Sequence, residues 1–207
     1  MSAIFVTGIG TDVGKTVASA VLAQLLDAGY WKPIQAGTEI TDLGTIESIR
    51  GRERTYPSRY ILKTPASPHL AAAIEGLHIE LDDFVVPNHS EEHLIVEGAG
   101  GLHVPLNDEH LIIDLIKHLD LSVVLVSQNY LGSINHTLLS IEALKQKEIP
   151  IIGVLFNGEK NRSTEEYITQ YAGVSHLGRI EQGDKVNEDF INSQTQNIDY
   201  EKITTTY

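Results

Sequence analysis

Residue types suited to phosphate chemistry stand at the start of the chain. Gly8-Ile9-Gly10-Thr11-Asp12-Val13-Gly14-Lys15-Thr16 follows the apolar run Ala3 to Thr7 and leads into an amphipathic pattern. A glycine-rich loop between a buried strand and a helix N-terminus presents successive backbone N–H groups and the positive end of a helix dipole, which favours bound phosphate. In that setting the Lys15 ammonium would bridge the outer phosphates and the Thr16 hydroxyl would ligate Mg²⁺. Five residues separate Gly8 from Gly14, where the usual motif has four. The order strand, loop, helix therefore carries the reading more than the spacing does.

Glu97 is the next candidate, at the carboxyl end of the apolar run Leu94-Ile95-Val96 and followed by Gly98-Ala99-Gly100-Gly101. A carboxylate there is partly desolvated, which is costly without a cation or strong donors. Mg²⁺ suits it, since that ion takes one or two carboxylates together with phosphate oxygens. Asp42 is a candidate second carboxylate, although spacing alone leaves it one acidic residue in a polar loop. Lys32 follows the first helical pattern where the next strand of an α/β unit is due, and Pro33 biases it towards an extended backbone. A fixed ammonium at that edge could stabilise charge developing on a substrate; on spacing alone, a surface lysine beside a strand end is the simpler reading. His69 and His136 read as capping or packing residues, His103 is ambiguous, and no His and carboxylate pair has zinc spacing.

These residues need a framework, and the hydrophobic pattern supplies one. Ala3 to Thr7, Leu94 to Val96, Ser122 to Ser127 and Pro150 to Phe156 are mostly apolar throughout, as strands buried on both faces of a parallel sheet are. Helical stripes alternate with them: Val17, Val21, Leu22, Leu25 and Leu26, ending at Gly29; Leu111, Ile112, Leu115, Ile116 and Leu119; and Ile134, Leu138, Ile141 and Leu144. A shorter helix has Ser67 as N-cap, Pro68 at its first position and Gly76 as terminator. The alternation predicts a three-layer α/β fold, a mostly parallel central sheet with helices on both faces and ligands at the carboxyl ends of the strands. Asp42 to Thr64 and Glu181 to Tyr207 show no clear element, and Thr204 to Tyr207 is expected to fray.

Composition narrows the function classes. The 207 residues suit one domain, and at this size roughly 70% of the unfolded surface is buried on folding, so no disulfide or structural metal is needed. The absence of Cys excludes a disulfide scaffold and a Cys-ligated zinc site. No run reaches the roughly 18 apolar residues of a membrane span, and Met1-Ser2-Ala3-Ile4 lacks the basic flank of a signal peptide. A cytoplasmic protein is expected. A formal charge of −13 repels nucleic acid and anionic lipid, so neither is an expected partner.

Taken in order, Gly8 to Thr16, Lys32-Pro33-Ile34-Gln35-Ala36-Gly37-Thr38-Glu39, Ser67-Pro68-His69, Val96-Glu97-Gly98-Ala99-Gly100-Gly101, Gly132-Ser133-Ile134-Asn135-His136 and Phe156-Asn157 resemble the motif series of the dethiobiotin synthetases over about residues 1 to 180. The resemblance implies a P-loop fold and a homodimeric, ATP-dependent cyclo-ligase. Its substrates would be 7,8-diaminopelargonic acid, CO₂ and ATP, joined through a carbamate and a carbamic–phosphoric anhydride with release of ADP and phosphate. By matching position, Lys32 would orient the carbamate and Lys15 would serve the γ-phosphoryl group, while Thr16, Asp42 and Glu97 would hold Mg²⁺. The nucleotide would also meet Asp12, Val13, Gly14, Val17, Gly98, Ala99, Gly100, Asn157 (the adenine reader), Gly158, Ile180, Glu181 and Gln182. The substrate would meet Thr11, Ala36, Pro68 and Gly100, and, across the dimer interface at its carboxylate, Gly132, Ser133, Ile134 and Asn135.

Three departures from that series stand out. Ala36 replaces the usual Ser or Thr, so Thr38 or a backbone group would have to supply the hydroxyl contact. The segment before Lys32 is short enough to trim the second strand. Gly178-Arg179-Ile180-Glu181 carries Glu where Pro is usual. The rival reading is a nucleotide-switch ATPase of the partitioning or septum-positioning kind. Those loops resemble this one less, because they carry an extra lysine five residues before the P-loop lysine, where this chain has Gly10. A corrin-pathway amide synthetase would need a glutaminase domain for which there is no room.

Overall fold

Strands buried on both faces must satisfy their backbone groups within a sheet and their side chains against two layers of helix. The computed structural model describes residues 2–39 and 41–205. Its strands are β1 Ser2–Gly8, β2 Gly29–Trp31, β3 Ile34–Ala36, β4 Thr55–Tyr56, β5 Tyr60–Leu62, β6 His93–Gly101, β7 Ser122–Gln128, β8 Ile151–Asn157 and β9 His176–Ile180. Its helices are α1 Lys15–Leu25, α2 Asp42–Arg50, α3 Pro68–Ile74, α4 Ile112–His118, α5 Ser133–Gln146, α6 Arg162–Ala172, α7 Glu188–Gln194 and α8 Tyr200–Thr204. Seven strands form one sheet in the order β4-β2-β6-β1-β7-β8-β9, and β3 and β5 pair separately. Among the described residues, every pairing between these strands is parallel.

The two-residue period of a strand divides the core into two faces. Ile4, Val6, Tyr30, Ile95, Val124 and Val126 pack with α1, Ile46 of α2, Ile191 of α7 and Ile203 of α8. Phe5, Trp31, Leu94, Val96 and Val123 point the other way, onto α3, α4 and the end of α5. Val154 and Phe156 meet α5 and α6 on that second side. This is the three-layer architecture the pattern predicts. No described helix is long and apolar enough to cross a membrane.

The structure corrects the two stretches expected to lack elements. Asp42 to Thr64 contains α2, a 3₁₀ turn at Arg52–Arg54, β4 and β5. The α2 stripe is Leu43, Ile46 and Ile49, interrupted by Gly44 and charged residues and too short for its period to stand out. Glu181 to Tyr207 contains α7 and α8, anchored by Ile191 and Ile203 alone or nearly so. Of the stretch expected to fray, Thr204 ends α8, and Thr206 and Tyr207 lie outside the described residues. Ser67 does precede α3, with Pro68 in its first turn and Gly76 just beyond at φ 67°. Its hydroxyl lies 3.1 Å from His69 Nδ1 and caps no backbone N–H. β2 is only three residues long, as the short segment before Lys32 implies.

Candidate active site

Four chain segments meet at the carboxyl edge of the sheet. β1 delivers the loop from Ile9 to Gly14, which turns into α1 through Gly14 at φ 89°. A Cβ at Gly14 would collide with the Asn157 side chain, so the turn needs glycine both for its backbone angle and for this approach. Asn157, the last residue of β8, donates from Nδ2 to Val13 O at 3.1 Å and ties the loop to the far strand. The Lys15 ammonium curls back to donate to Gly10 O at 2.8 Å.

β2 and β6 supply the second half. Trp31 pairs in register with Val96, so Lys32 leaves β2 beside Glu97 of β6. Tyr30 and Glu97 fall on the sheet face that carries α1, and the Tyr30 hydroxyl donates to Glu97 Oε2 at 2.9 Å. Thr41 caps α2 by accepting from Gly44 N–H, and this helix start sets Asp42 against the site. The Thr16 hydroxyl stands 2.6 Å from Asp42 Oδ1 and 3.0 Å from Glu97 Oε1. Lys32 Nζ lies 2.8 Å from Asp42 Oδ2 and 3.0 Å from Glu97 Oε1, with Gly98 O at 3.4 Å. The surface reading of Lys32 is thus overturned: it is 4% exposed, because β2 and β6 bury its stem while two carboxylates receive its head. Asp42 is likewise the first residue of a helix and not part of a polar loop.

The charges in this cluster tune one another. Burial pulls the Lys32 ammonium down, but Glu97 and Asp42 outweigh it and its pKa rises. Burial also works against the Asp42 carboxylate, and the neighbouring Lys32 more than compensates, so that pKa falls. Lys15 differs. Burial lowers its pKa and repulsion from Lys32 adds to this, against the pull of Glu97 and Asp42. Burial and the adjacent Glu97 charge push the Tyr30 phenol well above its ordinary value, so it remains a donor. One hydroxyl and two carboxylates converging within 3.0 Å form a hard oxygen set, the kind that suits Mg²⁺ beside phosphate.

A cleft of about 590 Å³ opens here, lined by Thr11, Asp12, Gly14, Lys15, Thr16, Val17, Lys32, Ala36, Asp42, Pro68, Glu97, Ala99 and Gly100, with others between them. Several expected contacts lie elsewhere. Val13 is buried beneath the loop, and Gly98 sits against Phe5, so each offers backbone only. Thr38 is exposed and does not line the cleft, which leaves Ala36 without the substitute hydroxyl proposed for it. Asn157, Glu181, Gln182 and Val17 line a separate depression of about 400 Å³ with Val186 and Phe190. Gly158 donates to Ile180 O at 2.8 Å, and the Ile180 side chain is buried in the core. Gly132, Ser133, Ile134 and Asn135 start α5 and line neither cavity. His136 pairs with the Tyr130 hydroxyl at 2.7 Å, and among the described residues no group of three His, Asp or Glu is arranged to hold a metal.

Comparison with known proteins decides the family. A profile described as an AAA domain matches residues 2–189. ATP-dependent dethiobiotin synthetase BioD of Afipia carboxidovorans is 49% identical over 180 residues, covering 86% of each chain. The Cytophaga hutchinsonii protein of that name is 44% identical over 193 residues, covering 92% of this chain and 94% of its own. The chain belongs to the dethiobiotin synthetase family.

Solved structures that resemble this synthetase-family chain show its P-loop fold alone. The MinC:MinD cell division complex of Aquifex aeolicus superposes with a TM-score of 0.57 at 16% identity, covering 93% of this chain and 86% of that one. A putative plasmid partition protein from Borrelia burgdorferi, bound to AMPPNP, gives 0.57 at 14% over 98% and 96%. The geometry also reveals residues that sequence reasoning missed. Tyr30, which fixes Glu97, looks like any core aromatic in the sequence. Val186 and Phe190 stand in a stretch without visible periodicity.

Proposed function

We propose that the chain is an ATP-dependent dethiobiotin synthetase, closing the ureido ring of dethiobiotin from 7,8-diaminopelargonic acid and CO₂. The observation that carries this reading is the meeting of Lys32 with Thr16, Asp42 and Glu97 beside the phosphate loop. The phosphate-loop motif accounts for Lys15 but not for a second lysine buried at the end of β2.

The chemistry requires position and charge rather than a nucleophilic side chain. One substrate amine adds to CO₂ and loses a proton, giving a carbamate. A carbamate oxygen attacks the γ-phosphorus and ADP leaves. The second amine then attacks the carbamoyl carbon, phosphate departs, and the ring closes with loss of protons. Lys32 would hold the carbamate and stabilise the charge that builds on it. Lys15 would exchange the neutral Gly10 carbonyl for anionic phosphate oxygens, a stronger charge-assisted partner. Thr16, Asp42 and Glu97 would hold Mg²⁺, which when bound neutralises phosphate charge. Asp12, Gly14, Val17, Ala99 and Gly100 would line the triphosphate, Asn157, Gly158, Glu181 and Gln182 the base, and Thr11, Ala36 and Pro68 the diamine.

The Gly132 to Asn135 turn would complete the substrate site from a second copy. The exposure of Leu131, Ile134 and Leu139 around it supports a homodimer through this face. A cytoplasmic setting, as one domain without nucleic-acid or membrane partners, fits the charge. The test is incubation with the diamine, ¹³C-bicarbonate and MgATP. A labelled cyclic urea is expected; folded protein that binds nucleotide but forms none would overturn the assignment.

A further inference from the structure

Glu165 is a charged residue that the proposed chemistry does not use, on α6 and 3% exposed. Burying a carboxylate is costly, and apolar residues often serve stability as well as a buried ion pair does. Its partners indicate what it holds. Oε1 accepts from Asn129 Nδ2 at 2.7 Å and from the Asn161 backbone N–H at 3.0 Å. Oε2 accepts from Arg179 Nη2, and His176 Nε2 lies 3.3 Å away. His176 Nδ1 accepts from Gly178 N–H at 3.1 Å, which leaves Nε2 as the donor to Glu165. Burial alone would raise this carboxyl, but Arg179 and the other donors hold it down at about 2.

Two of those donors also grip the segment after Asn157. Asn129 Nδ2 reaches Glu159 O at 2.9 Å, and Arg179 Nη1 reaches the same carbonyl at 3.2 Å. Glu165 thus anchors the turn from Gly158 to Asn161 at two points: at Glu159 through Asn129, just after β7, and Arg179 of β9, and at Asn161 directly from its own helix. That turn begins where Asn157 crosses to Val13 O and where Gly158 takes φ 87°. We infer that Glu165 is a positioning residue: through Asn129, Arg179 and Asn161 it fixes the turn that aims Asn157 at the base of the nucleotide. The inference rests on the reading that Asn157 meets the base.

The experiment compares two ligands by calorimetry in the presence of Mg²⁺: ADP, which has a base, and tripolyphosphate, which has none. Losing one well-aimed hydrogen bond is worth about tenfold in affinity. Glu165→Gln is expected to weaken ADP by about that factor and tripolyphosphate by less than about twofold, with KM for ATP rising more than kcat falls. Asn129→Ala, which loses one strap and no charge, is expected to change the same ratio in the same direction by less. Equal weakening of both ligands by folded variants, or undiminished ADP binding, overturns the inference. Should Glu165→Gln fail to fold, Asn129→Ala decides on the same two affinities. Asn157→Ala is measured alongside. If it leaves the ADP to tripolyphosphate ratio intact, the base reading itself fails; if it alone lowers that ratio, only the role of Glu165 is lost.

Discussion

Replacing Lys32 with Met keeps the buried stem and removes the ammonium. Glu97 is then left 1% exposed without its cation, while Asp42, about a third exposed, can recruit water. Removing one partner of a buried pair costs about 3–5 kcal/mol, and the partial exposure of Asp42 places this case near the lower end, about 3 kcal/mol. For a chain of this size that is a fall in Tm of roughly 6–12 °C. MgADP should restore much of it, since a divalent ion bound by Thr16, Asp42 and Glu97 supplies the missing positive charge. The catalytic loss should be larger. Withdrawing one preorganised donor from developing charge costs about 10²–10³ in kcat. Thermal unfolding with and without MgADP, calorimetry of nucleotide binding, and steady-state rates of urea formation measure the three quantities. A variant whose nucleotide affinity falls as far as its kcat would refute the reasoning and reassign Lys32 to the phosphate site.

The other predictions concern the scaffold around it. Gly14→Ala forces a Cβ into the Asn157 side chain at φ 89°, so a stability loss of about 1–3 kcal/mol and a weakening of ADP beyond about tenfold are expected by denaturation and calorimetry. Tyr30→Phe removes a hydroxyl donor to a buried carboxylate, worth about 1.5–3 kcal/mol in urea denaturation, and should raise the Mg²⁺ concentration needed for nucleotide binding. Glu165 has its carboxyl held at about 2 against an ordinary 4.5, so its stabilisation is complete above pH 4.5 and lost as pH falls towards 2. The stability gap between the native chain and Glu165→Gln should therefore narrow across that window; a gap that stays constant contradicts the ion-pair account.

The framework was legible because long elements repeat their signal. β1, β7 and β8 are continuous apolar runs, and α1, α4 and α5 have full stripes, so each element announces its own type. The phosphate loop was legible for a different reason: Gly14, Lys15 and Thr16 are adjacent in sequence and their chemistry is local. Lys32 was not legible by spacing, since its burial depends on Glu97, 65 residues away, and on a helix that itself escaped notice. The motif resemblance, not periodicity, singled it out. α2 was invisible because its three-residue stripe is short and interrupted, and α7 and α8 because one or two apolar anchors make no period. The same holds for Glu165: apart from the Asn161 N–H at the start of its own helix, its partners come from the residue after β7 and from β9 through tertiary packing.

The central claim is that two lysines and the Thr16, Asp42 and Glu97 oxygens serve one reaction centre. A crystal structure of the protein with the diamine, bicarbonate, Mg²⁺ and a non-hydrolysable ATP analogue tests it most directly. The account predicts the Lys32 ammonium on the carbamate and the Lys15 ammonium on the γ-phosphate, with the carbamate oxygen facing that phosphorus. Lys32 still held by Asp42 and Glu97, with the diamine bound away from the phosphate loop, would contradict it.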